Sequence, residues 1–200
     1  FDIRKNLLGY DDVLRQQREI MYAQRDKVLG ADDAHEMVVD LMKRVSENEV
    51  KKCIYYEEKE ALVDGTKLLE NLNNKAYPVD ALLDDEVSGP HIGEIINIVT
   101  DNLVKSFEVK RGIWTPEVFK IVEKQILMKI IDMNWTNHID RMSKLRDGIG
   151  LRSYANTNPL QSYINEGYQM FEDMKLKIAE EVTNYCLHAN VRVERRPAQR

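Results

Sequence analysis

The sequence predicts an all-α protein: a long leading helix, a small helical subdomain inserted after it, and an antiparallel hairpin of two long helices. Three observations carry this. Charged residues make up 32% of the 200, with only 9 glycines and 5 prolines, a balance that favours solvated helices over sheets. Apolar residues recur at helical spacing over long stretches. Charge falls in blocks: residues 30–112 hold 18 acidic and 10 basic groups, whereas 1–29 hold 5 and 6, and 113–200 hold 11 and 13. The acidic middle marks the inserted subdomain.

The first helix is expected over 4–29. Tyr10, Leu14, Gln17, Met21, Gln24 and Val28 step by three and four, and Val13 and Ile20 widen the stripe. Two glutamines in such a seam suit contacts with several partners. Gly30 is its stop, and Asp32 or Asp33 caps a second helix over 34–57. Residues 58–112 are less regular, with a short helix at 65–73, loops at Asn73–Asn74–Pro78 and DDEVSGPH, and a helix at 91–109. Thr115–Pro116–Glu117 reads as a helix start, and the helix is expected to reach about 147. Its seam is Met128, Ile131, Trp135, His138, Met142, Leu145 and Ile149, stepping 3,4,3,4,3,4. RDGIGLRSYANTNPL then interrupts the pattern. Gly148 and Gly150 permit the exit, and Asn158–Pro159–Leu160–Gln161 restarts a helix as cap, first turn and third-position Gln. That helix carries Leu160, Ile164, Tyr168, Phe171, Met174, Ile178, Val182 and Tyr185 on one side. Two long helices with facing seams and a short connection fold back on each other, which puts Tyr154 near the tip. Residues 190–200 read as a frayed basic tail.

Function classes narrow by what is missing. The net charge of −5 argues against nucleic acid as a partner. No apolar run reaches the length of a membrane span. Cys53 and Cys186 read as buried thiols rather than a disulfide. No phosphate loop, GxSxG, HExxH or CxxC occurs, and Asp64–Gly65–Thr66–Lys67 lacks the first glycine of a phosphate loop. No catalytic or metal-ligating set is assigned. His138 reads as a structural histidine bonded across the hairpin, Trp114 and Trp135 as packing anchors, and Met128, Met142, Met170 and Met174 as core filling. Around the turn, Arg141, Lys144, Arg146 and Arg152 are partly offset by Asp140 and Asp147. Two readings stand level there: a solvated loop, or a surface for a peptide, an acidic partner or a lipid headgroup.

Two stretches carry a resemblance. FDIRKNLLGYDDVLRQQREIMYAQR resembles the start of the helical scaffold of the SecA family, ATP-driven motors of bacterial preprotein translocation. IIDMNWTNHIDRMSKLRDGIGLRSYANTNPLQSYINEGYQMFEDM resembles the family's two-helix finger, in which D-x-x-W-x-x-H-[IL] precedes R-x-G-I-H-L-R-x-Y-A-Q-x-x-P. The resemblance covers about half of the chain and implies a discontinuous scaffold at 1–30 and 113–189, a finger at 115–187 with its tip at 148–158, and a helical wing at 31–112, matched by position only. It implies no ATP hydrolysis by this chain and no cofactor in it. ATP and magnesium would belong to nucleotide-binding domains which, with a preprotein-crosslinking domain, would precede Phe1. The cysteine-rich zinc segment that many members carry is not matched.

The site residues implied by the resemblance fall into three groups. Ile149, Leu151, Arg152 and Tyr154 would meet the preprotein and the SecY channel at the tip. Trp135, His138, Arg141 and Arg146 would lie in a hairpin that regulates ATPase activity. Tyr10, Asp11, Arg15, Gln17 and Arg18 would meet the motor domains. Implied partners are the protein's own motor and crosslinking domains, the SecY channel and unfolded preproteins, with an anionic membrane surface and a homodimer of the full-length protein left open. The implied location is the bacterial cytoplasm, peripheral at the inner face of the cell membrane. Gly150 stands where the family usually has His, and Asn156 where it has Gln. The extra glycine predicts a looser tip and leaves an accessory paralogue open. Outside the resemblance, a self-contained helical adaptor is the rival reading.

Overall fold

A computed structural model describes residues 2–152 and 158–188, with the side chains of 2 and 3 excepted. The order is α1 (Asp2–Gly30), α2 (His35–Lys51), β1 (Ile54–Glu57), β2 (Glu60–Val63), α3 (Gly65–Asn74), α4 (Ile92–Arg111), α5 (Pro116–Arg152) and α6 (Pro159–His188). The fold is all-α with one small hairpin of strands. α5 and α6 lie side by side as a helical hairpin, and α1 packs along both. α2 and α4 pack on each other and on α6, so the inserted segment leans on the second helix of the hairpin. The buried core runs without a gap from Met21 and Val28 of α1 through Val38, Met42, Leu103 and Phe107 to Leu127, Trp135 and Phe171.

The α5 seam is in place. Ile131, Trp135, His138, Met142 and Ile149 are buried, and Met128 and Leu145 half-buried. The α6 start is capped as expected, with the Gln161 amide donating to Asn158 Oδ1 at 3.1 Å. At the second helix, Asp33 Oδ1 accepts from the His35 amide at 2.9 Å.

Four expectations need correction. First, the second helix ends at Lys51, not 57, and an antiparallel hairpin follows, with Ile54 opposite Val63 and Glu57 opposite Glu60. Its two-residue turn is Glu58–Lys59, with φ of 46° and 73°. Such turns usually announce themselves by Asn or Gly; this one does not, so its first strand reads as the tail of a helix and its second as irregular chain. Second, α5 continues through Gly148 and Gly150 to Arg152, so the connection is shorter than 148–158. Ile149 supplies the reason: it is 1% exposed in a small core with Met142 and Tyr163, which holds that turn helical despite the glycine cost.

Third, Ile164, Tyr168 and Tyr185 are exposed, and the inward line of α6 is Tyr163, Gly167, Phe171, Met174, Ile178 and Val182. A Cβ on Gly167 would come within 2.7 Å of Met142 Cε, so the glycine leaves room for the end of the Met142 side chain between α5 and α6. An apolarity count overlooks a glycine that packs. Fourth, Gln24 and Ile20 face solvent, while Gln17 turns inward.

Candidate functional site, the scaffold–finger junction

α1 meets both helices of the hairpin, and two polar clusters fasten it. The inner one centres on Gln17, 6% exposed. Gln17 Nε2 donates to the Gly167 carbonyl at 3.2 Å, and Gln17 Oε1 lies 2.7 Å from His138 Nε2. Because the amide nitrogen is used on Gly167, its oxygen must accept from His138. His138 is therefore protonated on Nε2, and Nδ1 has no hydrogen-bond partner among the described residues. A second proton on this ring would be buried without an acceptor. Burial, with Arg141 nearby, pushes the His138 pKa down to about 4. One side chain thus ties three helices, and the ring of His138 lies between those of Trp135 and Phe171, with centroids 5.6 Å from each.

The outer cluster lies about two turns nearer the tip. Arg146 Nη1 is 3.0 Å from Asp11 Oδ1, and its guanidinium stands 5.1 Å from the centroid of Tyr10. Tyr10 packs on Tyr163 with centroids 4.8 Å apart. Asp11 and Arg146 are partly exposed, so this pair adds little stability by itself; it sets the register of α1 against α5. Beyond it, Arg152 forks onto Glu166 with contacts of 3.1 and 3.2 Å, closing the last turn of α5 against α6.

The three groups of expected site residues are therefore redistributed. Tyr10, Asp11 and Gln17 contact Arg146, Tyr163, His138 and Gly167 of this chain's own finger. Gln17 is buried there and unavailable to another domain, a correction to its expected place. Arg15 and Arg18 are exposed; Arg15 pairs with Asp12 and Glu19 on its own helix. Of the tip residues, Ile149 is buried and cannot reach a partner in this state, whereas Leu151 is 82% exposed. Tyr154 lies outside the described residues. Trp135 is buried and Arg141 exposed. A stripe absent from the sequence reading is Leu8, Arg15, Tyr22 and Leu29, which repeats every seven residues on the outer side of α1 and is exposed throughout. The same heptad arithmetic applied to the outer face could have found it.

A further polar group sits where both chain crossings between scaffold and insertion occur. Glu123 of α5, fully buried, faces His35 Nδ1 at 3.1 Å and Arg111 Nε at 3.3 Å. His35 also meets Glu108 at 2.6 Å, and Arg111 meets Asp33 at 3.2 Å. Lys124 Nζ donates to the Leu29 and Ala31 carbonyls at 3.0 and 2.9 Å, closing the end of α1. Burial raises the Glu123 pKa, against the pull of His35 and Arg111.

Both cysteines are free and buried, and burial pushes the Cys186 thiol up to about 12. Among the described residues no helix is long and apolar enough to cross a membrane, and no cluster of His, Cys, Asp and Glu could hold a metal ion.

A long scaffold helix locked to a helical hairpin, with a helical insertion after the first helix, is the arrangement the resemblance implies. The family model described as the SecA Wing and Scaffold domain matches residues 1–190. The chain belongs to the SecA wing and scaffold family. Two relatives, each a protein translocase subunit SecA of Clostridium botulinum, are 36% identical over 197 residues: one from strain Alaska E43 / Type E3, the other from strain Eklund 17B / Type B. The alignment covers 98% of this chain and 23% of each relative. The chain thus spans about a quarter of those SecA subunits.

Proposed function

We propose that this chain is the transmission section of an ATP-driven protein translocase. α1 receives the motion of nucleotide-binding domains, and the α5–α6 finger delivers it to a preprotein at the SecY channel. The observation that carries this reading is the Gln17–His138–Gly167 tie: a rod held at its buried face to both finger helices cannot shift without taking the finger along. The outer stripe Leu8, Arg15, Tyr22 and Leu29, with Arg18 beside it, is the surface offered to the motor and crosslinking domains. Exposed apolar residues at a regular repeat, flanked by charge, suit a packed helix–domain contact. At the other end Leu151 and Tyr154 engage the moving polypeptide. A tyrosine grips varied side chains through a large amphipathic face at low entropic cost. Trp135, His138, Arg141 and Arg146 regulate the ATPase by holding the finger in register with the rod. This chain hydrolyses nothing itself. ATP and magnesium bind elsewhere in the full-length protein, which works at the inner face of the bacterial membrane.

The test uses the full-length protein in a vesicle export assay. Tyr154→Ala should reduce preprotein import severalfold, and Tyr154→Phe should be milder, because the ring face is kept. Equal import by wild type and Tyr154→Ala would remove the tip from the mechanism.

A further inference from the structure

The strand hairpin of the wing is unused by the reading above, and its geometry is that of an unfilled sheet edge. Val63 exchanges both of its main-chain hydrogen bonds with Gly89, at 2.9 and 3.1 Å, so its amide and carbonyl point away from β1. Alternation along an antiparallel pair then fixes the rest. Leu62 and Glu60 bond to Tyr55 and Glu57. Ile54 and Tyr56, opposite Val63 and Ala61, turn their amide and carbonyl groups outward from β1. Among the described residues no segment pairs with that edge. Tyr56, 76% exposed, stands on it.

The outer face of the hairpin identifies what would fit. Cross-strand partners share a face, so Tyr55 and Leu62 lie beside Glu57 and Glu60. Glu57 and Glu60 are directly opposite each other, an arrangement that repels. Neither has an ion-pair partner among the described residues. Next to them Tyr55, Leu62, Asp64, Thr66, Asp85 and Gly89 line an open cavity of about 620 Å³. An aromatic wall, an apolar floor and uncompensated carboxylates form a seat for a lysine or arginine side chain, by charge and by cation–π contact.

We infer that the β1 edge of the wing binds an extended polypeptide segment by strand addition, with a basic side chain of that segment seated over Tyr55, Glu57 and Glu60. The outward groups of Ile54 and Tyr56 supply the main-chain bonds, and the paired glutamates select for Lys or Arg at every second position. This surface does not depend on the finger and stands or falls separately from the function proposed above.

The probe is a fluorescent ten-residue peptide alternating valine and lysine, titrated into the full-length protein by anisotropy. Two control peptides carry glutamate for lysine, or N-methyl groups on alternate amides. The lysine peptide should bind about tenfold tighter than either control, the range one charge-assisted contact spans. Tyr56→Pro, which removes the edge donor, should abolish the difference. Glu57→Lys with Glu60→Lys should reverse the preference to the glutamate peptide, and this reversal is readable even if Tyr56→Pro unfolds the hairpin. Equal binding of the N-methylated peptide would leave only charge attraction and overturn strand addition. Binding unchanged in the Glu57→Lys, Glu60→Lys variant would place the peptide elsewhere and overturn the site. Self-association of the protein lost in Tyr56→Pro, without peptide binding, would give the edge to a second copy and overturn the polypeptide occupant.

Discussion

At the scale of single residues, Gln17 and His138 decide how the scaffold is joined. Gln17→Leu should cost about 1–3 kcal/mol, because it leaves a buried imidazole N–H and a carbonyl without their partner. Thermal melting of the variant at neutral pH measures this. His138 makes the junction sensitive to acid. Its folded pKa of about 4 lies below the ordinary 6.5, so the unfolded chain binds the proton more readily. The stabilisation from neutral His138 is complete above pH 6.5 and is lost as pH falls from there toward 4. The lowered pKa amounts to roughly 3 kcal/mol across that window. His138→Gln should flatten the melting-temperature profile between pH 6.5 and 4 relative to wild type; parallel profiles would mean that this proton is not bound on unfolding. Sequence reading expects His138 to bond across the α5–α6 hairpin; it is buried as a structural histidine, but its hydrogen bond goes to Gln17 of α1 instead. The same reading misjudged Gln17, because a glutamine in an apolar stripe signals only that something polar is met, and not whether that partner is inside or outside the chain.

At the scale of elements, the helices were legible, the short one at Gly65–Asn74 included, and the strand hairpin after α2 was not. Seven seam positions of α5 and the Asn158–Pro159 start of α6 follow from period and capping chemistry, which act locally. The strand hairpin did not announce itself, because Glu58 and Lys59 adopt positive φ without a turn signature, and Ile54–Tyr55–Tyr56 alone is too short to show period two. Gly167 escaped for a different reason: its value lies in the Met142 side chain it admits, a tertiary fact. Two glycine predictions follow from this contrast. Gly148 sits in a helix with open space where a Cβ would be, so Gly148→Ala should stabilise by about 0.5–1 kcal/mol. Gly167→Val should force the Met142 side chain out of its present position and lower the melting temperature, with a loss of about 1–3 kcal/mol for the forced side chain. If the two substitutions had equal effects in denaturant titrations, the proposed close approach at Gly167 would be wrong.

At the scale of the whole molecule, the core crosses from the α1, α5 and α6 helices to the inserted α2–α4 segment, and the buried ionic group around Glu123 sits where both connections pass. Removing one partner of such a group leaves other charges buried without a counterion. Glu123→Ala should therefore destabilise by about 3–5 kcal/mol, and amide exchange should rise at the ends of both α2 and α4 rather than in α5 alone. Trp135→Ala, which removes a large buried ring from this core, should cost about 3–5 kcal/mol and change basal ATPase activity of the full-length protein. If α1 moves the α5–α6 hairpin through the Gln17–His138–Gly167 tie, as proposed, cutting the tie must uncouple hydrolysis from transport. The direct measurement is preprotein imported per ATP hydrolysed by full-length Gln17→Leu, at a temperature where variant and wild type are both folded. A coupling loss of about 0.5–2 kcal/mol predicts a ratio lowered by roughly 2- to 30-fold, with ATP hydrolysis continuing. An unchanged ratio in a folded variant would rule out the Gln17–His138–Gly167 tie as the coupling element.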